Sequence, residues 1–112
     1  MSGRLPTHLV VSALLRRVND AGGLGTVLAR GDADAGAVLI ITSERGAGPR
    51  CLERAPGLDG QARLAATGPD DGDLQSIAEY WQRRRVRDPD LWVIELDIAQ
   101  AERFAAETML LY

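Results

Sequence analysis

The apolar stretch AVLIITS at residues 37–43 constrains the fold more than any other part of this chain. Successive side chains of a β-strand point to opposite faces, so a continuous run of valine, leucine and isoleucine presents apolar groups on both faces. Strands of this kind lie inside a sheet, where both faces are covered. The sequence therefore predicts a central strand that is buried on both sides.

Further strands are predicted where short apolar or alternating stretches are separated by turns rich in glycine and aspartate. They cover residues 24–30, 50–55, 61–67 and 91–98. Short strands joined by such turns favour an antiparallel meander. The stretch 91–98 has the clearest alternation, which indicates a strand with one face in the core and the other nearer solvent.

Apolar residues at helical spacing predict three helices. They span residues 6–21, 73–87 and 99–111. Asp71 or Asp73 is expected to cap the second helix, because a short side-chain oxygen can bind free backbone N–H groups there. Pro89 ends that helix, since the residue before a proline disfavours the helical conformation.

The predicted order of elements is α-β-β-β-(β)-α-β-α, where the bracketed strand has the weakest pattern. This order predicts an α+β fold, with a single mixed or antiparallel sheet and helices packed on it. A chain of 112 residues has the usual length of one domain. We therefore expect residues 1–112 to form a single α+β domain.

The composition excludes several kinds of chemistry. All 13 basic residues are arginines, so no lysine is present for a Schiff base or a phosphate-binding loop. Cys51 is the only cysteine and His8 the only histidine, which excludes an internal disulfide and a Cys/His-rich zinc site. The net charge of −3 gives no overall positive field and argues against a nucleic-acid partner. We expect no cofactor.

The N-terminal residues indicate a cytoplasmic location. The apolar part of MSGRLPTHLVVSALL continues into RRVND without a small-residue cleavage site, which is typical of a helix rather than a signal peptide. No run of residues approaches the ~20 apolar positions that a membrane-spanning helix needs. We therefore expect a cytoplasmic protein without membrane contacts.

Asp32 and Asp34, in the turn GDADAG, are the candidate metal ligands. A calcium-binding loop also needs a ligand at its fifth position, glycine at its sixth and glutamate at its twelfth. Counted from Asp32, these positions hold Gly36, Ala37 and Ser43, so the template fails at all three. An aspartate turn, in which the side chain accepts backbone N–H groups, is the simpler interpretation.

A divalent-metal-dependent or phosphate-handling enzyme is an alternative use of the same aspartates. The order α-β-β-β-α-β is shared with nucleases of the restriction-endonuclease-like fold, and Asp34 and Glu53 would be the candidate metal-binding acids. Those enzymes usually carry a Glu-x-Lys signature on the third strand. Ala55 stands at the lysine position here, and the chain contains no lysine.

The run RRRVR at residues 83–87 is the candidate phosphate or nucleic-acid contact. Guanidinium groups pair with phosphate oxygens, and the three arginines considered for this role are Arg83, Arg84 and Arg87. The flanking Asp88 and Asp90 dilute the local charge. A nucleic-acid-associated regulator is therefore a second alternative, and a solvated helix end is the simpler interpretation.

The preferred hypothesis from the sequence is a non-enzymatic binding or assembly domain that forms a homodimer, and another protein partner is also possible. The first helix has apolar residues on a second side, which includes Val11 and Leu15, and a partner subunit could cover them. Tryptophan is enriched at interfaces, so Trp81 is the third candidate contact. Its other interpretation is a core anchor on the inner face of the second helix.

Two stretches in sequence order resemble a known bacterial family. These are LRRVNDAGGLGTVLARGDADAGAVLI at 15–40 and RDPDLWVIELD at 87–97, followed by RFAAETML at 103–110. Together they are similar to the family catalogued as domain of unknown function 1491, over residues 5–110. The resemblance implies a small bacterial protein that stands alone. It implies no activity, because the family has no assigned catalytic or binding residues.

Overall fold

A computed structural model describes residues 5–70 and 72–110. They form three helices and five strands in the predicted order. The elements are α1 (Thr7–Asp20), β1 (Leu24–Ala29), β2 (Val38–Glu44), β3 (Ala47–Pro56), β4 (Ala62–Thr67), α2 (Leu74–Arg87), β5 (Trp92–Asp97) and α3 (Ala101–Met109). The α+β class is confirmed, and the weakly patterned strand is present as β4.

The five strands form one mixed sheet in the order β1-β5-β2-β3-β4. Strands β2, β3 and β4 make an antiparallel meander, as the short turns predict. Strand β5 enters between β1 and β2, antiparallel to β1 and parallel to β2. Residues 30–37 therefore cross over the end of β5 to reach β2, and do not close a hairpin between β1 and β2.

Helices α1 and α3 cover one face of the sheet with the larger of two apolar cores. We call this the α1/α3 core. Its buried residues are Val10, Val11, Leu14, Val18, Val38, Ile40, Leu52, Trp92, Ile94, Leu96, Ala101, Ala105 and Met109. The inner face predicted for residues 91–98 is confirmed, because Trp92, Ile94 and Leu96 lie in this core. The opposite face was predicted to lie nearer solvent, and this is wrong for its first half, because Leu91 and Val93 are fully buried under α2.

Helix α2 covers the opposite face with a smaller core, called here the α2 core. Its buried residues are Leu39, Ile41, Cys51, Ile77, Leu91 and Val93. Strand β2 contributes Ile40 to one core and Leu39 to the other, and both side chains are fully buried. The prediction of a central strand buried on both faces is therefore confirmed.

The ends of the elements follow local chemistry. The Asp73 carboxylate accepts the N–H of Gln75 and caps α2, whereas Asp71 lies outside the described residues. Strand β3 begins earlier than predicted, because a tight turn at Arg45 and Gly46 donates both N–H groups to the Asp97 carboxylate. In the described part of the chain, no helix is long and apolar enough to cross a membrane.

Candidate functional site

The loop that contains Asp32 is organised by that residue. The Asp32 carboxylate accepts the N–H groups of Asp34 and Ala35, at 3.2 and 2.8 Å. The Asp32 N–H donates to the carbonyl of Asp90, and its own carbonyl accepts the indole N–H of Trp92 at 2.7 Å. The carboxylate thus holds an aspartate turn, and the turn is tied to the start of β5.

The same loop binds the N-terminus of α1. The N–H groups of Thr7 and His8 donate to the carbonyls of Asp34 and Ala33, at 3.1 and 2.9 Å. The Thr7 hydroxyl donates to the carbonyl of Gly36 at 2.9 Å. The free N–H groups that could make a helix N-terminus an anion site are therefore partly engaged by the protein's own loop.

Two glycines permit the close contact between the loop and β5. A Cβ atom at Gly31 or Gly36 would lie only 2.0 or 2.3 Å from the carbonyl oxygen of Asp90. Any larger residue would push the loop away from the strand end. The glycines that bracket the aspartates thus serve backbone packing.

Beside this loop lies a cleft of about 730 Å³. It is bounded by the start of α1, the end of α3, and the ends of β3 and β4 that meet at their hairpin. Its apolar wall includes Val10, Val38, Pro56 and Met109, and Asp34 and Arg54 are among its charged lining residues. The volume is in the range of small-molecule sites.

Glu53 takes part in a polar network rather than in a pair with Asp34. Both of its carboxylate oxygens accept N–H groups of Arg84 at 2.8 Å. Arg84 also donates to the Tyr80 hydroxyl at 2.9 Å, and that hydroxyl bonds to Thr67 at 2.7 Å. The hydrogen bonds that the Arg84 guanidinium donates to Glu53, with a smaller contribution from its bond to Tyr80, raise the pKa of this guanidinium above its usual range. This network joins α2 to β3 and β4.

The carboxylates of the sequence-predicted metal site are thus engaged separately. Asp32 caps its turn, and Glu53 is bound by α2. Among residues 5–70 and 72–110, no three side chains of His, Cys, Asp or Glu come together in a group that could hold a metal ion. Asp34 and Glu53 both line the cleft, but both carboxylate oxygens of Glu53 accept hydrogen bonds from Arg84.

The arginines of residues 83–87 differ in their contacts and exposure. Arg84 is engaged by Glu53, and Arg85 donates to the carbonyls of Leu91, Arg30 and Pro89. Arg83 and Arg87 are exposed. The candidate trio of Arg83, Arg84 and Arg87 therefore does not present three free guanidinium groups on one surface.

The three candidate interface residues differ in exposure. Val11 is only 2% exposed and lies in the α1/α3 core, so its cover comes from the same chain. Leu15 is half-buried and packs against that core, while Trp81 is half-buried against the α2 core. Helix α3, which packs on α1, supplies much of the cover that the sequence assigned to a second subunit.

The sequence reasoning missed the network of Arg84, Glu53, Tyr80 and Thr67. One signal was present, because Tyr80 and Arg84 are four residues apart and share a helix face. Their partners on β3 and β4 are far away in sequence, and no local sequence pattern identifies them. The cleft was missed for the same reason, since five separate segments form its wall.

The comparisons with known proteins agree with this fold. The model of the family described as "Protein of unknown function (DUF1491)" matches residues 5–106. The chain belongs to the DUF1491 family. The resemblance seen in the sequence is therefore confirmed, and no curated protein matches the chain.

Solved structures of DUF1491 proteins resemble this one over most of their length. The crystal structure of a family protein from Caulobacter crescentus CB15 is 31% identical, with a TM-score of 0.79 over 90% of this chain and 94% of that one. The NMR structure of a family protein from the same organism is 31% identical, with a TM-score of 0.75 over 89% of this chain and 91% of that one. The solution structure of protein Atu0922 from A. tumefaciens is 30% identical, with a TM-score of 0.69 over 84% of this chain and 86% of that one.

Proposed function

We propose that this DUF1491 protein is a non-enzymatic binding or assembly domain that forms a homodimer. The observation that carries the proposal is the outer edge of β4. The strand order leaves β1 and β4 at the two edges of the sheet, and an uncovered edge presents unpaired N–H and C=O groups to another strand. The two edges differ in how far the chain covers them.

The edge of β1 is partly blocked. The Gly25 N–H donates to the side-chain oxygen of Asn19 at 2.9 Å, so it is not free for another strand. The register with β5 shifts between Val27 and Ala29, which bends the strand locally. Both features are common means by which proteins prevent pairing at an edge.

The edge of β4 has neither feature in the described structure. All six residues of β4 pair with β3 in a continuous register. The strand carries a single charged residue, Arg63, and Leu58 at the tip of the preceding hairpin is fully exposed. A regular edge with small, mostly uncharged side chains is suited to pairing with another strand.

The contacts of the acidic residues favour assembly over enzymatic function. Asp32 and Glu53 use their carboxylates to hold the loop and α2 in place. Asp34 also lines the cleft, so the metal hypothesis has a direct test. We expect calorimetric titration with magnesium, manganese or calcium to give no binding heat, and a saturable heat that Asp34→Asn abolishes would favour the enzyme instead.

The homodimer is tested by measuring the molar mass in solution. We expect light scattering and sedimentation equilibrium, from micromolar to millimolar concentration, to show a species of twice the 12.1 kDa chain mass. Ala66→Lys places a charge on the β4 edge and is expected to shift the mass toward the monomer. Thr26→Lys on β1 is the matched control. A wild-type protein that stays monomeric throughout this range overturns the proposal.

A further inference from the structure

The outer edge of β4 presents the backbone of every second residue. At the end of the β3–β4 hairpin the Gly57 N–H donates to the carbonyl of Gln61 at 2.7 Å, so these two residues form a hydrogen-bonded pair. Hydrogen-bonded and non-hydrogen-bonded pairs alternate along an antiparallel ladder, and the register of β4 has no shift. The groups that point away from β3 therefore belong to Ala62, Leu64 and Ala66.

We propose that β4 pairs antiparallel with β4 of a second copy, with Leu64 opposite the partner's Leu64. The inference rests on the proposed homodimer and specifies its register. The three outward-facing residues are evenly spaced about Leu64, so a two-fold axis through this position pairs Ala62 with the partner's Ala66. Each of the three pairs exchanges two backbone hydrogen bonds, and the two sheets become continuous.

The charges along this register fit a second copy. Arg63 lies opposite the partner's Ala65, and the residue beyond it on β3 is the partner's Glu53. Two strand spacings of about 4.8 Å separate these backbones, which an arginine and a glutamate can span over an alanine. A carboxylate accepts more than one guanidinium, so Glu53 can keep Arg84 and also receive Arg63.

The apolar side chains fit as well. Leu64 is half-buried and packs against the α1/α3 core, and its exposed part faces its symmetry mate in this arrangement. Ala62 lines the cleft beside the hairpin, so the partner's Ala66 lies next to the mouth of the cleft. Small residues at both flanking positions let the strands approach to hydrogen-bonding distance.

The register is tested by disulfide formation between two single-cysteine substitutions. Ala62→Cys and Ala66→Cys are mixed and gently oxidised, and we expect a cross-linked heterodimer because a hydrogen-bonded pair has Cα atoms about 5.5 Å apart. Ala62→Cys alone is expected not to cross-link, since its two copies would be about 14 Å apart along the strand. The native Cys51 is 1% exposed and is expected to react much more slowly than the introduced cysteines on the edge of β4.

The outcomes separate this inference from the proposed homodimer. A dimer by light scattering that gives no cross-link in the mixture overturns the register and leaves the homodimer standing. Equal cross-linking of Ala62→Cys alone overturns the register as well. A monomer overturns both. Thr26→Cys on β1 serves as the matched control and is expected not to cross-link.

The charge pairing has its own test. Arg63→Glu places a carboxylate near the partner's Glu53, so we expect the dissociation constant of the dimer to rise roughly tenfold. Arg83→Glu makes the same charge change at an exposed position of α2 and is expected to leave the constant unchanged. High salt is expected to weaken the wild-type dimer more than the Arg63→Gln dimer. An unchanged constant for Arg63→Glu overturns the register.

Discussion

The two faces of the sheet are stabilised in different ways. On one face α1 alone buries four apolar residues, Val10, Val11, Leu14 and Val18, and α3 adds more. On the other face α2, of the same length, buries only Ile77. Helices of equal length on one sheet therefore need not contribute equally to its stability, because the buried apolar area sets most of that contribution.

Helix α2 compensates for its small buried area with directional polar contacts. Arg84 bonds to Glu53 and Tyr80, while Arg85 donates to the backbone carbonyls of three other residues. Such bonds define the position of a helix more than they increase its stability. We therefore expect the α1/α3 core to dominate global stability, and α2 to open locally before the rest of the fold.

The largest effect is expected from Leu14→Ala in the α1/α3 core. Leu14 is fully buried, so the substitution leaves a cavity and should lower the free energy of unfolding by about 2–5 kcal/mol. Leu9→Ala on the same helix is the control, because Leu9 is 47% exposed and its loss should cost well below about 1 kcal/mol. Urea denaturation followed by circular dichroism measures both. Equal losses for the two variants would contradict the assignment of the core.

A smaller effect is expected from the polar network of α2. Arg84→Met keeps most of the side-chain volume but removes the hydrogen bonds to Glu53, and should lower the free energy of unfolding by about 1–2 kcal/mol. Glu53→Gln combined with Arg84→Met completes a double-mutant cycle, in which the two losses should not add. Arg83→Met, at an exposed position of the same helix, is the control. Additive losses in the cycle would show that the ion pair does not couple α2 to the sheet.

These differences also show what the sequence could predict. The strands and helices were accessible because each depends on a local pattern, such as the apolar run of β2 or the alternation of β5. The position of β5 between β1 and β2 could not be predicted, since no local sequence pattern specifies which strands become neighbours. The aspartate turn at Asp32 was predicted, because a short acidic side chain in a segment bracketed by glycines is a local signal.

In the candidate site, too, the local features could be predicted and the long-range contacts could not. The ion pair of Glu53 and Arg84 joins residues 31 positions apart, and only the folded sheet brings them together. Val11 was placed at an interface because one helix was considered without its neighbour α3. Contacts between residues that are distant in sequence therefore account for most of the structural features that could not be predicted.

The thiol of Cys51 reports on local opening of the α2 side of the sheet. Burial in the α2 core raises the pKa of this thiol, with a smaller opposing effect from Arg84, so little thiolate forms at neutral pH. We expect disulfide reagents to label it through local opening of α2, and Arg84→Met to speed labelling roughly tenfold. Leu9→Ala should not change the rate at which Cys51 is labelled. Labelling that requires global unfolding in every variant would show that the α2 face opens only with the whole domain.

The smallest effect concerns the exposed rim of the α1/α3 face. Hydrogen bonds from Arg17 and Arg103 hold the pKa of the Glu107 carboxyl below its usual range. Because this pKa is lowered in the folded state, the ionised Glu107 carboxyl stabilises the fold at pH values above the usual glutamate pKa. This stabilisation is lost as the pH falls through the pKa of the carboxyl in the folded protein. The carboxyl is exposed, so solvent screening keeps the effect small. NMR titration should show the pKa of Glu107 rising toward the usual value in Arg17→Gln, with Arg16→Gln as the control. An unchanged pKa in Arg17→Gln would show that the bond between α1 and α3 is not maintained in solution.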